Sequence, residues 1–153
     1  MRGMALALIA AGCAHARTPD ASRLGLRTAP RATARVGAAR LDLWIANEGP
    51  SPRPVVVDPE ALLVAVTSTS GHAVPCRPPS TAELPTIRLL AAGERASVQL
   101  DLSRRCEIAE PGEYRVEIEH PAGDAKATVD LRVTRWTNPG PLSPGQAGPP
   151  SLP

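Results

Sequence analysis

The chain has 153 residues, enough for one domain with its own core and too few for two comfortable ones. Its 17 basic and 15 acidic residues leave a formal net charge of +2, which excludes a strong electrostatic pull toward nucleic acid or an anionic membrane. Phe is absent and the aromatic residues are Trp44, Tyr114 and Trp136, too few for the stacking platforms that single-stranded nucleic acid or sugar rings require. No nucleic-acid partner is expected.

Residues 1–12 read as a signal peptide. Met1-Arg2-Gly3 is a short basic start, residues 4–11 (M-A-L-A-L-I-A-A) form an apolar run, and Gly12 precedes Cys13. A bilayer span needs roughly 20 apolar residues, so this run is an export signal rather than a membrane helix. Ala10-Ala11-Gly12-Cys13 resembles the lipobox of bacterial lipoproteins, with Ala10 where that family usually has Leu. The resemblance implies cleavage before Cys13, diacylglycerol on its thiol and attachment to the membrane through that lipid. With Ala14 next, and not Asp, it implies sorting to the periplasmic face of the outer membrane.

Residues 13–34 are expected to be the lipidated cysteine and a flexible tether of Ala, Arg, Thr and Pro, although Leu24 and Leu26 could open an edge strand. A coil of roughly 20 residues reaches on the order of 25 Å, enough to hold a domain off a membrane surface. The domain is expected over residues 35–135, where the period is close to two. Leu41, Leu43 and Ile45 form one apolar face before the turn Asn47-Glu48-Gly49-Pro50. Residues 54–57 and 62–69 give two more short strands, and residues 86–90 lead into the turn Ala91-Ala92-Gly93-Glu94. Val98, Leu100 and Leu102 alternate with Gln99 and Asp101. Tyr114, Val116 and Ile118 alternate with Arg115, Glu117 and Glu119, as Val129, Leu131 and Val133 do with Asp130 and Arg132. Such runs are strands buried on one face. Residues 58–65 come nearest to an amphipathic helix, but their β-branched members argue against it. The expected fold is all-β: an immunoglobulin-like antiparallel β-sandwich of about seven strands. Residues 136–153, dense in Pro and Gly, read as a disordered tail, with Trp136 folding back over the end of the sandwich.

With Cys13 taken by lipid, Cys76 and Cys106 remain as an even pair, and a disulfide is the simplest reading for an exported chain; two separate thiols in a reducing compartment are the alternative. If successive strands run up and down, two strands separate the loops that hold these cysteines, so both loops fall at one pole. Closing a loop of roughly 30 residues would stabilise the fold by about 3–4 kcal/mol.

The stretches Ile87–Glu94, Val98–Ser103 and Glu110–Val116 are similar to the L-x-P-G-E … D-L-S … P-G-x-Y-x-V pattern of bacterial immunoglobulin-like domains, with Ala92 in place of the first proline. The resemblance covers about residues 36–134 and implies a fold, not an activity. Such domains occur in envelope lipoproteins and beside secreted metallopeptidases. Tyr114 either hydrogen-bonds backward across the strand junction, as the tyrosine corner does, or is an ordinary half-buried tyrosine.

Catalytic and metal-binding patterns are not found. His15, His72 and His120 lack the H-E-x-x-H spacing of zinc peptidases, and His72 with Cys76 shares a loop with Pro75. Ser70-Gly71-His72 has no nucleophile elbow, and no phosphate-binding glycine loop or calcium loop occurs. No metal, cofactor or enzymatic activity is expected. Trp44 has the opposite parity to its apolar neighbours, so it either projects outward as a partner contact or caps a sandwich edge. The functional expectation is a non-enzymatic envelope lipoprotein whose domain binds a protein partner. The alternative is a proteinase inhibitor that presents the Pro-rich loop of residues 71–85, since some bacterial inhibitors are similar small immunoglobulin-like domains.

Overall fold

A computed structural model describes residues 23–80 and 84–135. The signal segment, Cys13, Trp136 and the Pro/Gly-rich tail lie outside the described residues.

Ten strands follow one another: β1 (Leu24–Thr28), β2 (Arg31–Arg35), β3 (Arg40–Asn47), β4 (Arg53–Val56), β5 (Leu63–Ser68), β6 (Ala73–Val74), β7 (Ile87–Leu90), β8 (Arg95–Asp101), β9 (Gly112–Glu119) and β10 (Lys126–Thr134). Residues 59–61 make one 3-10 turn, and α1 (Leu102–Arg105) is a single helical turn capped by the Asp101 carboxylate. One sheet runs β1-β3-β8, the facing one β2-β10-β9-β5-β6, and β4 pairs with β7 as a separate ribbon. Leu41, Leu43, Ile45, Val98 and Leu100 from the first sheet meet Val66, Val116, Ile118, Val129, Leu131 and Val133 from the second, all buried. Their alternation with exposed charges is what makes each run a strand with one dry face. The immunoglobulin-like sandwich is therefore the fold.

Two expectations need correction. The tether expected through residue 34 ends earlier, because Leu24–Thr28 and Arg31–Arg35 are strands of the domain. Leu24 and Leu26 are buried against β3, so two leucines suffice to seat β1. β2 has no fully buried residue; Ala32 and Ala34 pack half-buried against the core, and main-chain bonds flank the pairing with β10, Asp130 N–H donating to Pro30 and Val36 N–H to Thr134. The sandwich is also not wholly antiparallel, because β2 runs parallel to β10. The count of strands rises from about seven to ten because β1, β2 and the short β6 join the seven expected runs.

Polar side chains buried inside this small core each have assigned partners. Asn47, fully buried, donates through Nδ2 to the carbonyls of Ser51, Leu90 and Ala91 at 2.8–3.1 Å, while its Oδ1 accepts from Gly49 N–H at 3.1 Å. One side chain thus joins the end of β3 to the ribbon and to the β7–β8 turn. His120 is buried, with Nε2 3.0 Å from the Val56 carbonyl and Nδ1 accepting from Ala122 N–H at 3.2 Å. Both contacts are satisfied together when the ring proton sits on Nε2. Tyr114 donates its hydroxyl to the Glu110 carbonyl at 2.8 Å, which is the backward bond of a tyrosine corner.

Asn47→Ala is expected to destabilise the domain by about 3 kcal/mol, because it strips several buried main-chain groups of partners, and Tyr114→Phe by about 1 kcal/mol. Urea denaturation with an unchanged slope checks both; losses below about 0.5 kcal/mol for Asn47→Ala would mean that the turn is held by something else.

Candidate functional site

The segment after β5 carries most of the chemistry that the sequence brought forward. The β5–β6 hairpin turns at residues 68–72, where Ser68 N–H donates to the His72 carbonyl and Gly71 takes a positive φ of 85° that side chains resist. Ser70 Oγ lies 2.9 Å from His72 Nδ1 and 2.8 Å from Ser68 Oγ. The Ser-Gly-His triplet therefore does bring a hydroxyl to an imidazole. All three side chains are exposed or half-exposed, and among the described residues no carboxylate bonds the other ring nitrogen. Ser68 Oγ accepts from His72 N–H at 3.1 Å, so the cluster reads as the hydrogen bonding of a tight turn.

Beyond β6 the chain leaves the sheet. Cys76 and Cys106 form a disulfide with S–S 2.11 Å and Cα–Cα 4.0 Å, so the two cysteine loops do share a pole. The bridge sits in an isolated antiparallel pair: Arg77 N–H donates to Arg105 at 2.7 Å and Glu107 N–H to Pro75 at 2.9 Å. Behind it Arg105, 3% exposed, points its guanidinium at main-chain carbonyls, Pro59 at 3.0 Å, Leu62 at 2.9 Å and Arg77 at 3.4 Å. Its Nε has no partner among the described residues. Cysteine and arginine together pin residues 75–77 and the 3-10 turn to the C-terminal end of α1. The loop expected over residues 71–85 is thus a hairpin arm and a staple, followed by the exposed Pro78 and half-exposed Pro79.

Two outer surfaces complete the picture. Trp44 projects outward from β3, 39% exposed, in register between Arg27 of β1 and Ser97 of β8. Parity set it apart from its apolar neighbours, and its side chain faces outward from the middle strand of its sheet and caps no edge. Arg27 is turned away by Glu48, whose carboxylate meets it at 2.7 Å and Arg23 at 3.4 Å. Gly25 makes this crossing possible: a Cβ there would lie 2.7 Å from the Glu48 carboxyl carbon. The hydrogen bond from Arg27 holds the Glu48 carboxyl below its ordinary value of 4.5; burial opposes the shift, and the charges of Arg27 and Arg23 assist it. On the ribbon, Ile87 and Leu89 are 59% and 68% exposed, in register with Val56 and Pro54. Sequence reasoning missed this surface, because Ile-Arg-Leu-Leu carries apolar residues on both parities.

Among the described residues no three His, Cys, Asp or Glu side chains gather closely enough to hold a metal ion, and no helix is long and apolar enough to cross a membrane.

No protein-family model matches the chain. No curated protein matches it either. Solved structures with a similar course include a β-glucosidase from Listeria innocua, 20% identical over 73% of this chain and 16% of that one, with a TM-score of 0.45. Others are an alkylpurine DNA glycosylase from Pseudomonas fluorescens (15%, 72% of this chain and 31% of that one, TM-score 0.38) and a CARDB domain from Pyrococcus furiosus (12%, 72% and 91%, TM-score 0.36). None of these likenesses carries an activity, substrate or ligand over to this chain.

Replacing both Cys76 and Cys106 by Ser is expected to lower stability by about 3–4 kcal/mol, read as an earlier urea midpoint. A midpoint that does not move would show that the bridge closes nothing the core does not already close. Glu48→Gln has a pH signature. Since the folded carboxyl titrates lower than the unfolded one, its stabilisation is present above about pH 4.5 and fades as pH falls through the folded value. The stability gap between parent and variant should therefore be open at pH 7 and closed at pH 2; a gap independent of pH would exclude the ion pairs as its source.

Proposed function

We propose that the chain is an exported, lipid-anchored protein of the cell envelope, whose immunoglobulin-like domain works by binding a protein partner and not by catalysis. The observation that carries the reading is the Cys76–Cys106 disulfide. Disulfides persist in oxidising compartments, and this one consumes two of three cysteines. The third, Cys13, follows the apolar run and the small residues of a lipobox-like sequence. In this reading residues 1–12 are removed, Cys13 takes the lipid, and the outer membrane's periplasmic face is the destination. Trp44 and the Ile87–Leu89 ribbon supply exposed apolar area of the kind that partners anchor on.

A second reading, a proteinase inhibitor, is favoured by one feature. The Pro-rich segment after β6 is fixed by the disulfide and by Arg105, and a stiff loop loses little entropy when a protease grips it. Inhibition of secreted serine, cysteine or metallo-proteases at micromolar chain would favour it over the first.

Mass spectrometry of the mature protein tests the main reading at once. The expected species lacks residues 1–12, carries acyl mass at Cys13 and is two hydrogens lighter across Cys76 and Cys106. An intact Met1 with an unmodified Cys13 overturns the anchor.

A further inference from the structure

The two-stranded ribbon carries an outward face that is wholly apolar. In the β4–β7 register Pro54 stands opposite Leu89 and Val56 opposite Ile87, and opposite residues of an antiparallel pair share a face. Val55 and Leu90, on the other parity, are buried. Ile87 is 59% exposed, Leu89 68%, and Leu84, just before the ribbon, 96%. Three of the five exposed large hydrophobic residues among the described ones thus fall within residues 84–89. The charges beside this face are already matched. Arg53 meets Asp124 at 3.4 Å, Arg88 meets Glu94 at 3.6 Å, and Arg23 meets Glu48 at 3.4 Å. Such paired groups put little net charge in the way of an apolar contact and offer little to a highly charged partner.

The chain enters the domain beside the ribbon. The Arg23 carbonyl accepts from Glu48 N–H at 3.0 Å, and the adjacent Asn47 bonds the carbonyl of Leu90, the last residue of β7. In the lipid-anchored reading, roughly ten residues then separate the lipid at Cys13 from this pole, because β1 begins at Leu24. A coil of roughly ten residues spans on the order of 17 Å, and no more than about 35 Å when fully extended. A linker this short holds whatever lies at the pole at millimolar effective concentration beside the bilayer. A face too small to capture a membrane from solution is engaged once it is tethered there.

We propose that the outward face of the ribbon docks on the lipid bilayer, with Ile87 and Leu89 entering the boundary between headgroups and acyl chains. A second copy is a poorer occupant, since a stable dimer buries about 800 Å² on each partner, more than four side chains supply. Docking places the end of β9 at Glu119, next to the His120 contact with Val56, toward the membrane, and the end at Tyr114 away from it. The proposal rests on the lipid-anchored reading of Cys13, and it leaves Trp44 as the surface for a protein partner.

The test uses the full mature chain, purified with its lipid and reconstituted in phosphatidylcholine vesicles whose brominated acyl chains quench any tryptophan that enters them. Leu89→Trp should lose at least half of its added emission, and Ser97→Trp, also exposed but on β8, almost none. The quenching of Leu89→Trp should persist in high salt and at one chain per vesicle. Adding Ile87→Gln should weaken it at least threefold while the urea midpoint stays in place. Loss of quenching at one chain per vesicle overturns the proposal and makes the ribbon an interface between copies. Loss in high salt overturns it in favour of headgroup charge, and equal quenching of Leu89→Trp and Ser97→Trp overturns it because the domain then has no preferred face. A lipidated chain whose Leu89→Trp emission is untouched loses the docking and keeps the anchor. An unmodified Cys13 removes both, and the mass spectrum alone identifies that case.

Discussion

The link between Cys76 and Cys106 is the constraint on which this end of the domain is organised. It joins the segment leaving β6 to the end of α1, and Arg105, one residue before Cys106, fills the space behind it with a buried cation. A guanidinium among carbonyls and no carboxylate is tolerable only because the carbonyl oxygens face it closely. The covalent bond holds the Arg77 carbonyl where the guanidinium needs it, and the guanidinium satisfies the Leu62 carbonyl and adds a second donor to that of Pro59, which also accepts from Leu62 N–H. Each makes the other less costly, so the two act as one device.

The same logic runs through the rest of the interior. A core without phenylalanine is built from aliphatic side chains of modest size, which carry no polar atoms to fix the connections between strands. Those connections are fixed instead by single buried polar residues, each bonded to main chain: Asn47 at the β3–β4 end, His120 at the β9–β10 end and Tyr114 at the entry to β9. Buried hydrogen bonds add little net stability, but leaving their partners unmet costs a good deal, so they specify one arrangement of loops more than they strengthen it.

What the sequence made legible follows from this division. Strands with one dry and one charged face announce themselves by period, and β3, β8, β9 and β10 do so fully. The cysteine pairing was legible from parity of count and from the poles on which the loops fall. β1 and β2 were not, because β2 sets only two half-buried alanines against the core and its Ala-Thr-Ala pattern differs little from a tether; main-chain pairing to β10 carries no side-chain signal. The exposed ribbon escaped for the opposite reason, since apolar residues on both parities leave the buried face undefined. Trp44 was legible only in part: parity set it apart from Leu41, Leu43 and Ile45, but parity does not separate an outward projection from the capping of a sandwich edge.

Edges are where a sandwich meets other chains, and this one treats its edges unequally. β2 presents Arg31 and Arg35, and the free side of β8 alternates exposed Arg95, Ser97 and Gln99, the charged and polar guard that keeps sheets from pairing. The inner half of β5 is guarded differently: its outward Leu63 and Ala65 lie in register with Glu119 and Glu117 of β9, so the charge beside them sits on the neighbouring strand and not on β5 itself.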